Sequence, residues 1–377
     1  MNEDKRMAEE RLCFRPLKLK PARVHRNYTG GFLLEKWQKK EDPKDGKLPE
    51  NWIASTVEAR TDNYVKNEGL SKVDLGNGKE PFLKDIILEN PEGFLGADYV
   101  REYSSDMAVL VKVIDSSSRL FIQVHPDRDF SKRIFNSPFG KTEAWYVLGG
   151  RKINDEDPYV LFGFKKGVTR EKWRELFEKQ DIQGMLDSLH RFSVKPGDIF
   201  FIESGIPHAI GSGCFLLEVQ EPTDYTFRVE RTAPDGRKLP DTFCHQGVGF
   251  ENALNAFHYD TFDRDEILER FYLRPEIIET QMGGKRTSII PDRYSEFFAM
   301  EELNINEKFI SEKPAGFAVG VVISGSGRLI FDGGELKVGK SDELFFPASL
   351  KEFTWEADSE ENLKVVLSYP PRIRTAM

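Results

Sequence analysis

A chain of 377 residues, 39% of them hydrophobic, is long for a single core and fits two packed units. Its formal net charge of −9 argues against general affinity for nucleic acid or an anionic membrane, so an anionic small substrate would need a local basic pocket. The 31% of charged residues and 29 Phe read as globular rather than disordered.

Cys13, Cys214 and Cys244 are far apart, and an odd count without a CxxC pair argues against a disulfide framework. Met1 to Glu10 lacks the apolar run of a signal peptide. No stretch approaches the roughly 18 apolar residues of a spanning helix. These features place the chain in the cytoplasm as an expectation.

In chain order, residues 1–60 read as a leading arm and surface loop. Val109 to Ile114 is a β-branched apolar run that stops at Asp115-Ser116-Ser117-Ser118, a turn signal. Leu120 to His125 is a second run, stopped by Pro126-Asp127. Ala144 to Leu148 and Tyr159 to Phe164 follow. Trp173, Leu176 and Phe177 repeat at helical spacing after Thr169, a candidate N-cap. Met185, Leu186 and Leu189 suggest another short helical turn. Strands resume at Ile199 to Ile202 and Phe215 to Val219, and 247–258 reads as a helix. A second strand-rich unit follows, with strands at Gly320 to Ile323, Gly327 to Phe331 and Glu343 to Phe346. It has no histidine. Short strands between turns are the pattern of sandwiches and barrels.

Gln123 and His125 lie two apart in a strand pattern, so both point to one face. Glu143 sits on a later strand, and His208 follows the turn Gly205-Ile206-Pro207. Two imidazoles, a carboxylate and an amide oxygen suit zinc or a similar divalent ion, one per chain. A lone histidine beside a turn is usually a surface or core residue. The ordered set Gln-x-His-Pro-Asp, Lys-Thr-Glu and Pro-His-Ala-Ile-Gly is far less expected by chance. His25, His190, His245 and His258 lack such a setting and read as structural or solvated.

These segments resemble the type I mannose-6-phosphate isomerases, in their shorter bacterial form. The resemblance rests on Leu110 to Asp115, Phe121 to Asp127, Lys141 to Leu148, Val194 to Asp198, Ile206 to Gly211 and Glu218 to Arg228. It is close over roughly residues 107–230, with a weaker echo to the C-terminus. The resemblance implies a mainly β fold of two cupin-type β-barrels (jelly rolls, or double-stranded β-helices) with short helical insertions. The expected units are an arm and first strands over 1–106 packed on the catalytic barrel, a metal-binding cupin over 107–260, and a second cupin without metal ligands over 261–377. It implies metal ligation by Gln123, His125, Glu143 and His208, a catalytic Arg228, a zinc ion and a phosphorylated sugar as substrate. Two departures border the expected pocket. Tyr28-Thr29 stands before Gly30-Gly31 where the family has a tryptophan. Val229 to Gly236 replaces the family's aromatic-acidic continuation.

The implied reaction is the interconversion of mannose 6-phosphate and fructose 6-phosphate, a zinc-dependent intramolecular oxidoreduction. A proton moves between C2 and C1 through an enediol, and charge builds on O1 and O2. A divalent ion and a cation such as Arg228 would stabilise that charge. Glu218, Asp224, Lys141 and bound hydroxide are the open candidates for the base. Lys141 shares the face of Glu143 and serves equally as a substrate contact or a solvated strand-end lysine. Arg228 has the simpler reading of a surface ion pair, and Lys112, flanked by apolar residues, reads equally as an inward charge or a strand-edge lysine and is left out of the site. The competing functions are isomerisation of another sugar phosphate, a non-haem iron oxygenase and a non-catalytic sugar-binding cupin.

Overall fold

The structure is a computed structural model that describes residues 12–61, 65–76, 78–233, 236–312, 316–358 and 360–373. Met1 to Glu10 and the pair Pro234-Asp235, discussed above, lie outside them. The fold is mainly β, as expected, and it is built from two pairs of sheets.

The first pair carries the histidines. One of its sheets runs in the order Ile199–Ile202, Glu143–Gly150, Cys214–Gln220, Leu110–Asp115, Glu50–Ile53, Ala22–Val24. Its partner runs Phe227–Arg228, Gln123–Val124, His208–Ile210, Tyr159–Lys165, Thr261–Phe262, with Leu189–Ser193 also paired to Tyr159–Lys165. Ile114, Trp145, Val147 and Leu216 of the first sheet meet Val160, Phe162, Phe192 and Ile210 of the second in one buried cluster. Side chains alternate along each strand, so this inner face leaves the opposite faces to be covered by something else.

The outer face of the second sheet is covered by helices. Helix Arg170–Lys179 begins where the Thr169 side chain accepts from Lys172 N, a standard N-cap that satisfies one orphan donor. Its Trp173 and Phe177 pack with Phe164 and with Ala253 and Leu254 of the short helix Phe250–Asn255. Leu189, grouped above with a helical turn, instead starts a strand.

The second pair has an eight-stranded sheet, Glu276–Gln281, Gly284–Ile290, Ala299–Ile305, Leu363–Tyr369, Ala318–Ser324, Glu343–Phe346, Leu17–Lys20, Lys72–Val73. Opposite it lies the four-stranded sheet Lys308–Ser311, Phe353–Ala357, Ser326–Phe331, Gly334–Gly339. The two units meet sheet on sheet. Val111, Val113, Ala144 and Val219 share one core with Val319, Val321, Phe345 and Val366. That explains why strands such as Leu110–Asp115 are buried along their whole length and read as continuous apolar runs rather than alternating ones.

Residues 12–60 are not a surface arm. Ala22–Val24 and Glu50–Ile53 extend the first unit's sheet, whereas Leu17–Lys20 pairs with Glu343–Phe346 of the second unit. The described residues ahead of 107 therefore do not pack on the first unit alone. The short period of these strands and the intervening charged loop hid the pairing, because partners hundreds of residues away leave no local signal.

Candidate metal and substrate site

The predicted ligands come together between the two sheets of the first unit. Only Gln123–Val124 of the run Leu120 to His125 joins the ladder. Ile122 N donates instead to Glu230 Oε1 at 2.6 Å, which ends regular pairing there. His208 stands opposite Gln123 in register. Glu143 opens a strand of the facing sheet. His125, Glu143 and His208 are all buried, with ligand atoms within 4.8 Å of one another.

Backbone carbonyls fix the tautomer of both rings. His125 Nδ1 donates to Tyr225 O at 2.8 Å, and His208 Nδ1 donates to Ile206 O at 2.9 Å. Carbonyl oxygens only accept, so each neutral ring carries its proton on Nδ1 and turns a bare Nε2 inward. Those two lone pairs are 3.2 Å apart. Glu143 Oε1 is buried beside them with no hydrogen-bond partner, 3.4 Å from His208 Nε2. Lys141 Nζ and Gln123 Nε2 lie within hydrogen-bond distance of these two nitrogens, but the converging carboxylate oxygen has no such partner, and a divalent ion among the three would engage them all. This donor set fits a divalent ion, with the second shell such ligands require.

The electrostatics agree. Burial holds the His125 imidazole down, to about 3, helped by the nearby Lys141 ammonium. Burial also lowers His208. Burial would raise Glu143, but Lys141 and the histidines hold it well below the usual carboxylate range. Neutral imidazoles and an ionised carboxylate are the protonation states that bind metal. Lys141 Nζ lies 2.7 Å from His125 Nε2 and 2.8 Å from Glu143 Oε2, so it faces the ligands rather than solvent. Gln123 Nε2 lies 3.2 Å from His208 Nε2.

A pocket opens outward from this cluster. Gln123, Lys141, Glu218, Asp224, Thr226 and Arg228 all line it. Asp224, Thr226 and Arg228 share a side of the pocket, as their alternation predicts. Arg228 is not a surface ion pair. Its guanidinium lies over the Phe243 ring at 4.1 Å and donates to the carbonyls of Thr226 and Phe243. Burial pulls it down to about 10.

Beneath the pocket lies a buried ionic network, most of which sequence reasoning missed. Of the two readings of Lys112, the inward charge holds and the edge lysine does not. Its Nζ donates to Glu218 Oε1 at 3.0 Å and sits over the Trp52 ring. Arg26 reaches Glu50 at 2.9 Å and both oxygens of Asp224. Tyr28 OH donates to Glu50 Oε1 at 2.8 Å. His25, grouped above with the structural histidines, lines the pocket and is held by Glu68. One signal was available for Lys112: it is a charge inside an apolar strand, as Glu218 is inside another, and the two are register partners. Unpaired buried charges are costly, so two such interruptions point to each other. Burial raises Glu218, and its neighbour Glu143 adds to the rise. Asp224 resists burial because Arg26 and Lys112 hold it at about 2.

The departure at Tyr28 to Gly31 has a geometric role. A Cβ on Gly30 would fall 1.8 Å from Asp115 O, and Gly31 has φ 109°. Both glycines let this loop lie against the strand carrying Lys112. His190, His245 and His258 make backbone or packing contacts away from the cluster.

The phosphomannose isomerase type I catalytic domain model matches residues 27–146. The probable mannose-6-phosphate isomerase GmuF of Bacillus subtilis strain 168 is 29% identical over 317 residues, 83% of this chain and 88% of that protein. The solved mannose 6-phosphate isomerase of Bacillus subtilis superposes with a TM-score of 0.72 at 23% identity, covering 94% of this chain and 99% of that one. A zinc-bound mannose 6-phosphate isomerase structure superposes with a TM-score of 0.72 at 15% identity, covering 95% and 100%. The matched segment and the full-length likeness point the same way: in sequence and fold this chain is similar to the type I phosphomannose isomerases.

Proposed function

We propose that this protein interconverts mannose 6-phosphate and fructose 6-phosphate with one bound zinc ion. The observation that carries the reading is the convergence of two unprotonated imidazole Nε2 atoms with an orphaned Glu143 oxygen beside a cation-rich pocket. Likeness to mannose-6-phosphate isomerases supports the choice of sugar. His125, Glu143 and His208 would hold the ion; Gln123, whose Nε2 faces His208, would join them through Oε1 with its amide turned over. When bound, it supplies Lewis-acid stabilisation of oxyanions.

The remaining roles belong to side chains of this chain. Arg228 is a half-buried, fixed guanidinium next to Gln123 in register. It is placed to stabilise charge on the enediol oxygens without reorganisation. Lys141 lies at the ligand face and serves as the contact to the reacting oxygens or as the ring-opening donor. Among the candidate bases, Asp224 is committed to Arg26 and to Arg60 N. Glu218 lines the pocket with a raised carboxyl, which suits proton transfer between C1 and C2 near neutral pH. The buried network keeps Glu218 in place through Lys112 and Trp145.

Residues 107–260 form the working cupin in this reading and 261–377 a supporting one. We place the protein in the cytoplasm, where a sugar-phosphate enzyme has its substrate. Among the described residues no helix is long and apolar enough to cross a membrane. The direct test is the metal-loaded protein assayed against a panel of aldose and ketose phosphates, with and without a chelator. Turnover of mannose 6-phosphate that the chelator abolishes is expected. Conversion of a different sugar phosphate alone would keep the mechanism and replace the substrate.

A further inference from the structure

The cations around the pocket are not equivalent. Arg26 is tied to Glu50 and Asp224, Lys112 to Glu218, and Lys141 to Glu143. Arg228 is half-buried and lies beside Gln123, its guanidinium over the Phe243 ring. Arg60 differs from all of these. It lines the same pocket but is exposed at its mouth. Among the described residues, no carboxylate pairs with its guanidinium.

Arg60 is nevertheless well held. Its backbone N–H donates to Asp224 Oδ2 at 2.9 Å. Its guanidinium lies 4.8 Å over the Tyr225 ring, a cation–π placement. That ring also stacks on Phe135 at 4.2 Å. The carbonyl of the same Tyr225 accepts from His125 Nδ1. One residue therefore orients a metal ligand at the inner end and supports a free guanidinium at the outer end.

The shape of the site assigns the ends. The site is a partly open cleft with a cavity volume of about 50 Å³, room for only a few water molecules at its inner end. A six-carbon sugar phosphate cannot be swallowed whole by such a space. Its C1–C2 end belongs at the ligands, and its phosphate, at the far end of the carbon chain, belongs at the mouth.

We propose that Arg60 is the residue that holds the substrate's phosphate group and so sets the preference for phosphorylated over plain sugars. This rests on the sugar-phosphate reading above. Guanidinium groups recognise phosphate by paired, charge-assisted hydrogen bonds. An unpaired arginine can make them without first breaking an ion pair. The chain's overall charge of −9 makes such a local anchor necessary for a dianion.

The experiment compares wild type with Arg60→Ala and Arg60→Lys in the full-length, metal-loaded protein. Steady-state kinetics are run on mannose 6-phosphate and on mannose, and inorganic phosphate is titrated by calorimetry. For Arg60→Ala we expect KM for mannose 6-phosphate to rise roughly 10- to 100-fold, the range for losing a hydrogen bond to a charged group. Turnover at saturation should change by less than about threefold, because binding uniform to ground and transition states is what is lost. Inorganic phosphate should bind correspondingly more weakly, any activity on plain mannose should stay the same, and Arg60→Lys should recover part of the loss. Metal content and melting temperature report whether the variant is folded. Unchanged KM and unchanged phosphate affinity in a folded Arg60→Ala would overturn the proposal, as would a fall in turnover with KM intact. A wild type that turns over none of the sugars would refute the isomerase reading instead, and the phosphate titration would still decide the role of Arg60.

Discussion

Asn51 and Glu343 are 292 positions apart, yet Asn51 Nδ2 donates to Glu343 Oε1 at 2.8 Å in the buried seam between the two units. Asn51 Oδ1 and Glu343 Oε2 are both buried and without partners. A proton on Glu343 Oε2 would satisfy both at once, because a carboxylic acid and an amide form a cyclic pair. Burial pushes this carboxyl up to about 8, the Asn51 bond opposes the rise, and Asp342 adds to it.

Stability should therefore depend on pH through Glu343. Its pKa is raised from 4.5 to about 8 on folding, so the folded state retains a proton that the unfolded chain gives up. The contribution is fully present below about pH 4.5 and is lost as pH rises through about 8. Glu343→Gln keeps an amide partner for Asn51 and cannot ionise. The loss in wild type should amount to a few kcal/mol at most (about 1.4 kcal/mol per pKa unit). Melting curves of both proteins from pH 6 to 9 check this. A parallel decline in the two would show that Glu343 does not titrate as the buried pair requires.

Metal content is the second expectation. Wild type should hold about one zinc per chain, as a single site of this donor set does. His125→Ala, Glu143→Gln and His208→Ala should each lower occupancy and activity together. Elemental analysis of dialysed protein reads the outcome. Retained zinc in all three variants would move the metal elsewhere.

Arg228 separates binding from chemistry. Arg228→Ala should lower turnover by roughly a hundredfold or more, the usual cost of one preorganised stabiliser of an oxyanion. KM should change little and zinc content not at all. Arg228→Lys should recover only part, since a point charge does not reproduce a planar fork. Its position over Phe243 makes loss of packing a second contribution, so folding is monitored by circular dichroism. Turnover equal to wild type in a folded Arg228→Ala would return this residue to a structural role.

Gly205 ties the ligand turn to its surroundings. Its N–H donates to His125 O, and its carbonyl accepts from His258 N. It has φ +85°, and a Cβ there would fall 2.5 Å from the His258 ring. Gly205→Ala combines left-handed strain with a clash, so it should destabilise by about 1–3 kcal/mol. It should also weaken zinc binding, because His208 follows three residues on. Glycine replacement at Gly197, where nothing lies within 4 Å, should strain only the backbone and leave zinc binding intact. Chemical denaturation and zinc titration of both variants distinguish the two.

The sequence by itself determined the candidate metal ligands, the strand pattern around them and the likeness to a known family. Gln123, His125, Glu143 and His208 sit in ordered local motifs, and the apolar period marks the strands that carry them. Glu343 to Phe346 was legible for the same reason. Tertiary structure alone decided the rest. Leu17–Lys20 pairs with a strand more than three hundred residues away, and nothing in its four residues names that partner. Lys112 could be read as an inward charge or an edge lysine, and its ion pair with Glu218, spanning 106 positions, decided between them. Arg60 carries no local signal, since being unpaired at a pocket mouth is a property of its neighbours. Local propensity and motif spacing are written in short stretches of chain. Burial, charge pairing and the free ends of a pocket exist only once distant stretches meet.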